Sequence, residues 1–123
     1  MGFAKNLMGT GMPAAMAAGD LVSQTATGLT AAGTTQGTAL TISADANFVS
    51  TVASGSGVIL YNGMIGDSCF VYNDGGTNAL TVYPPVGSKI NGLATNGGFL
   101  LANNTAVMCL KITATRWFAV LSA

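Results

Sequence analysis

General acid–base and nucleophilic chemistry need side chains that titrate near neutrality. This sequence of 123 residues holds few: no His, no Glu, four aspartates (Asp20, Asp45, Asp67, Asp74), three lysines (Lys5, Lys89, Lys111) and Arg116. Asp67, in Ile65-Gly66-Asp67-Ser68, and Asp74, in Asn73-Asp74-Gly75-Gly76, sit where a carboxylate bonds its own backbone in a turn. Asp20 and Asp45 follow Gly19 and Ala44 and read as loop residues. Ser56, between Gly55 and Gly57, lacks both the longer elbow pattern and a His base. The same Gly55-x-Gly57 lacks the remaining glycine of a dinucleotide fingerprint, and no helix follows it. Cys69 and Cys109 have no second Cys or His nearby, so zinc ligand spacing is absent. The expectation is a non-enzyme with no catalytic residues, no metal site and no cofactor.

Each cysteine lies in an apolar run, Cys69-Phe70-Val71-Tyr72 and Val107-Met108-Cys109-Leu110, which predicts small buried thiols. A disulfide between neighbouring strands stays open, because its geometry cannot be read from sequence. Tyr61, Tyr72 and Tyr83 each end or nearly end a predicted strand. Their rings could stack on a sugar or a single-stranded base. The plainer reading makes them strand residues with hydroxyls in solvent. No basic residues accompany them, so nucleic acid is not an expected partner.

The elements that must hold these residues come from an unusual composition. Half of the residues are apolar and 7 % are charged, against about 25 % in an ordinary soluble domain, and the net charge is zero. A neutral surface gives no electrostatic footprint for nucleic acid or acidic lipid, and it does little to keep copies apart. Thr, Ser, Asn and Gly must supply the polar surface. Residues 1–20 read as an arm and 21–123 as one β domain. The arm holds four of the six methionines, broken by Gly9, Gly11, Pro13 and Gly19, so it forms neither a signal-peptide core nor a membrane span. Pro13–Ala18 permits a helix but is too short to hold one alone. Phe3, Leu7, Met8, Met12 and Met16 are its candidate docking residues, since flexible thioethers adapt to irregular apolar surfaces. No membrane partner is expected.

Past Asp20 the pattern is β throughout, short runs of Val, Ile, Leu, Thr and aromatics punctuated by Gly, Asn and Asp. The predicted strands are Leu21–Thr27, Thr38–Ser43, Phe48–Val52, Gly57–Tyr61, Ser68–Asn73, Ala79–Tyr83, Gly98–Leu101, Thr105–Ile112 and Arg116–Leu121. Between Tyr83 and Gly92, Pro84-Pro85 stops one strand while Gly87 and Asn91-Gly92 permit two tight turns around Ser88-Lys89-Ile90, making a corner. Asp74-Gly75-Gly76, Asn103-Asn104 and Thr113-Ala114-Thr115 read as hairpin turns. Consecutive hairpins predict an all-β, antiparallel, jelly-roll-like sandwich or barrel of about eight or nine short strands.

Alternation assigns the faces. Ala106, Met108, Leu110 and Ile112 oppose Val107, Cys109 and Lys111, while Trp117, Ala119 and Leu121 oppose Arg116, Phe118 and Val120. Both faces are largely apolar, where a solvated sheet would show one polar face. Burial on both sides is therefore expected, either by a third layer or by another subunit, with Met108, Leu110, Trp117 and Leu121 at the subunit interface in the second case. Gly37–Ile42 (GTALTI) also echoes Thr77–Val82 (TNALTV), a similarity too brief to establish a repeat.

A family resemblance is carried by Leu29-Thr-Ala-Ala-Gly-Thr-Thr-Gln-Gly-Thr-Ala-Leu40, Gly55-Ser56-Gly57-Val58, Ile65-Gly66-Asp67, Val71-Tyr72-Asn73-Asp74, Val82-Tyr83-Pro84-Pro85, Ile90-Asn91-Gly92 and Thr115-x-Trp117. This text resembles small structural proteins of tailed bacteriophages, and the composition looks most like their capsid decoration (cement) proteins. The Tyr-Pro-Pro to Ile-Asn-Gly block is its distinctive part, and residues 1–20 fall outside it. The resemblance implies a virion protein on the outer surface of the head, a homotrimer whose partner is the major capsid protein. It carries no catalytic residues. The alternative is a tail or fibre component that binds host-surface glycan through Tyr61, Tyr72 or Tyr83. A small hydrolase working without histidine is the third reading.

Overall fold

Residues 24–122 are described by a computed structural model, and they fold into ten strands and one short 3-10 turn, Gln36–Thr38. The strands are β1 (Thr25–Thr30), β2 (Leu40–Ile42), β3 (Ala46–Thr51), β4 (Gly57–Leu60), β5 (Ser68–Asn73), β6 (Leu80–Tyr83), β7 (Lys89–Ile90), β8 (Phe99–Leu101), β9 (Ala106–Thr113) and β10 (Arg116–Leu121). The proposed docking residues Phe3, Leu7, Met8, Met12 and Met16 lie outside the described residues.

Two sheets share one core. The larger runs β1-β3-β5-β9-β10-β7 and the smaller β2-β4-β6-β8. From β1 to β6 the chain alternates between them, so each strand pairs in parallel with the strand two places on. In the larger sheet Thr25 stands beside Ala46 and Ala46 beside Phe70. In the smaller, Leu40 stands beside Val58 and Val58 beside Val82. This is a solenoid-like course with a repeat of roughly 20 residues, at the short end for stacked repeats. The coil ends where β8 runs antiparallel to β6, and β9 antiparallel to both β5 and β10.

The all-β expectation holds, and its antiparallel form is corrected. Five strand pairs are parallel and three antiparallel. Asp74-Gly75-Gly76 joins β5 of the larger sheet to β6 of the smaller, and Asn103-Asn104 joins β8 of the smaller to β9 of the larger. Both are corners between sheets. Thr113-Ala114-Thr115 does join hydrogen-bonding neighbours, with Arg116 beside Thr113. Gly76 (φ +96°) and Asn104 (φ +61°) take the positive φ that their turn chemistry predicts. Such residues fix a sharp bend but not the sheet that the next strand joins.

The Pro84-Pro85 corner carries the chain from β6 across to β7. Ser88 N–H donates to Pro85 O (2.9 Å) over Gly87 at φ +86°. Lys89 and Asn91 then donate their N–H groups to Thr115 O and Trp117 O, so β7 lies parallel to the start of β10. The Gly37–Ile42 echo also gains a place: β2 and β6 flank β4 in one sheet, two turns of the coil apart.

The core is built from inward residues of both sheets, among them Ile42, Val49, Leu60, Val71, Leu80 and Leu101, all at most 2 % exposed. Trp117 is its largest fully buried side chain. That corrects its assignment to a subunit interface: Trp117 faces the smaller sheet, inside its own chain.

Candidate functional site

The residues with chemistry to offer are spread through the fold in structural roles. Asp67 Oδ2 accepts from Met64 N–H (2.8 Å) and Asp45 Oδ2 from Gln24 N–H (3.1 Å). Ser56 is buried, and its hydroxyl donates to Ala53 O (2.8 Å). The tyrosines divide between sheets. Tyr72 lies on the outer side of β5 with its ring edge-on to Phe48, and Tyr83 ends β6 with its hydroxyl donating to Thr34 O. Tyr61 packs against the core, where burial first, and the nearby Asp67, Cys69 and Asp45 after it, push its phenol up to about 12. The structure does not bring the three rings into one stacking surface.

Cys69 and Cys109 are directly opposite on β5 and β9, both inward, both buried and both free thiols. Lys111 N–H to Asp67 O and Asn73 N–H to Thr105 O bracket them, so by alternation they form a hydrogen-bonded pair. Burial pushes each thiol up to about 12. At Cys69 the Asp45 charge adds to the rise while the Asn47 amide opposes it, and at Cys109 the neighbouring Cys69 adds to it. Thiols held neutral in this way are poor nucleophiles.

What the strands do assemble is a surface. Alternation along β3, β5, β9 and β10 turns every second side chain away from the core. Across the sheet Phe70 stands beside Met108 and Met108 beside Val120; Ser68 stands beside Leu110 and Leu110 beside Phe118. Phe48 and Phe70 pack at a ring separation of 6.0 Å on the same side. Met108, Leu110, Ile112, Phe118 and Val120 are 37–54 % exposed, a continuous apolar outer face rather than scattered residues. Arg116 and Lys89, side by side, border this face at one end of the strands, and Asp74 follows β5 at the other.

Of the four residues expected at an interface, Met108 and Leu110 lie on this face, Leu121 is half exposed at the end of β10, and Trp117 does not belong. The expectation missed Phe48, Phe70, Tyr72, Phe118 and Val120. The signal was present in β5, where Phe70 and Tyr72 alternate with Cys69, Val71 and Asn73, each set largely apolar.

A second feature borders the first. Met64 and Ile65, 76 % and 65 % exposed, sit at the tip of the loop between β4 and β5. The loop is rigidly tied: Asp67 N–H donates to Met64 O, Gly66 N–H to Lys111 O, and Lys111 Nζ to Gly63 O (2.6 Å) and Asn62 Oδ1 (3.0 Å). Lys111 is itself buried. A Cβ on Gly63 would stand 2.4 Å from Asp67 Oδ2 and 2.7 Å from the Tyr61 ring, so this close packing requires glycine. No protein-family model matches the chain, and no curated protein does either.

Proposed function

We propose that this chain is a virion structural protein, a decoration (cement) protein on the outside of a bacteriophage head, acting by contact alone. The observation that carries the reading is the apolar outer face of the larger sheet, left uncovered among the described residues, in a chain with four cations, four anions and no net charge. An exposed patch of this kind marks a surface made to be covered. The phage assignment rests on the sequence resemblance, whose distinctive block forms the corner from β6 to β7. A protein that binds the assembled shell and not its free subunits stabilises the shell by mass action. The partners in this reading are copies of the chain and the major capsid protein. The threefold count comes from the resemblance alone. The alternative is a tail or fibre component that binds host-surface glycan through Tyr61, Tyr72 or Tyr83.

Mixing the full chain with intact heads, with tails, and with unassembled capsid protein tests the reading. Co-sedimentation with intact heads is the expected result. Binding to tails alone, or to none of the three, would overturn it.

A further inference from the structure

We propose that the outer face of the larger sheet is covered by the same face of a second copy, packed sheet on sheet with strand directions reversed. The inference rests on the reading above that the chain works by assembly, and it departs from the threefold count. Three observations carry it.

The first is chemical. The middle of the face, around Phe70, Met108, Leu110, Phe118 and Val120, is carbon and thioether with no ionised group. An apolar surface without charge recognises only another apolar surface, and each copy of the chain presents one. Nothing in the net charge keeps copies apart. A face that meets itself gives an isologous contact about a twofold axis, the commonest way that identical subunits close.

The second is size. Five side chains at roughly half exposure leave on the order of 400 Å² uncovered. Adding the partly exposed Phe48, Phe70 and Tyr72 brings the face to roughly 600 Å², below the ~800 Å² that each partner contributes to a standard interface but above the ~500 Å² a side that a specific contact needs. Packing at the usual sheet separation of about 10 Å would bury the rows against one another.

The third is charge at the margins. Arg116 and Lys89 stand at the end of the face where β10 begins, and Asp74 at the end where β5 finishes; Asp45 and Asp67 share the cations' end but lie on the inward side of β3 and β5, each bonded to a backbone N–H. Copies aligned with strands in the same direction would set cations over cations. Reversing one copy brings the Arg116 end of each over the Asp74 end of the other, so orientation follows from the sign of the charges.

The test is analytical ultracentrifugation of the full chain from about 1 to about 100 μM. A dimer is expected. Val120→Glu and Met108→Glu each place a charge in the centre of the face and are expected to raise the dimer dissociation constant at least ~100-fold. Leu100→Glu, more exposed but on the smaller sheet, is expected to leave it unchanged. Emission from the buried Trp117 reports that each variant is folded. Arg116→Asp is expected to weaken the dimer several-fold at low salt, and adding Asp74→Arg to restore it. A monomer throughout the range, a trimer, or a folded Val120→Glu that still dimerises would overturn the proposal. Failure of the double charge reversal to restore affinity would overturn the reversed orientation. Head binding is scored separately: a monomer that still pellets with heads ends this inference and leaves the proposed function standing.

Discussion

An ammonium group carried into a sheet protein must find acceptors there, because desolvating it unpaired costs several kcal/mol. Lys111 meets this demand without an anion, through Gly63 O and Asn62 Oδ1, and thereby anchors the loop that displays Met64 and Ile65. Lys111→Met keeps the stem and removes the donors, leaving the Gly63 carbonyl short of a partner. A loss of about 1–3 kcal/mol is expected in denaturant unfolding, with faster amide exchange at Gly66. The thiols make a second prediction at this scale. Burial raises Cys69 and Cys109 from 9.0 to about 12. The native state therefore keeps two protons that the unfolded chain releases above pH 9. Their stabilising effect is complete below that value and is lost as pH rises toward 12. Thermal midpoints are expected to stay level from about pH 6 to about 8 and to fall above about 9, with a shallower fall in the Cys69→Ala, Cys109→Ala double variant. Tyr61, raised in the same direction, adds to the fall above pH 10.

Among the elements, β7 shows how asparagine replaces missing backbone. The strand is two residues long, and beyond it the Asn91 side chain takes up the pairing: its Oδ1 accepts from Ala119 N–H (2.9 Å) and its Nδ2 reaches Ala119 O (3.4 Å). The backbone of Asn91 sits at φ +51°, where few side chains are comfortable. Asn91→Ala loses both features and is expected to cost about 1–2 kcal/mol, while Asn91→Gly, which keeps the backbone freedom, loses less; equilibrium unfolding reads both. Asn73 and Asn103 do the same at the corners, Asn73 bonding Gly75, Asn78 and Leu101, and Asn103 exchanging two hydrogen bonds with Gly76. These elements also show what was legible. β5 and β10 fall where alternation put them, because hydrophobic period and flanking turns are local properties. Partner choice is not local. A corner such as Asn73–Gly76 looks like a hairpin turn until one knows that Asn73 bonds the other sheet. The outer face was half legible, since alternation separates Phe118 from Trp117 but cannot tell which side meets the core.

At the scale of the whole molecule, the face and the composition bear on the same property. Contact through side chains without charge is governed by apolar burial, which screening by salt leaves alone. Between about 0.05 and about 1 M NaCl the dimer dissociation constant is expected to change only a few-fold, the margin charges accounting for the change, whereas sulfate at similar strength is expected to tighten it. Sedimentation in the two salts measures this. A tenfold weakening in NaCl would place ions at the centre of the contact. The two-sheet arrangement shared one core without a hairpin plan because the coil is non-local: each strand waits for a partner roughly 20 residues away before its backbone is satisfied.

That coil also gives the molecule a grain. Among the described residues β1 and β2 are the margins of their sheets at the same end, while the other end is folded back by β9 and β10. Growth is therefore possible in one direction only. A duplicated turn, spliced between β3 and β5, would widen both sheets by one strand spacing of about 4.8 Å and leave the folded-back end as it is. The breadth of the greasy side would then be a quantity that gene duplication sets in whole steps, independently of the residues that grip the neighbour.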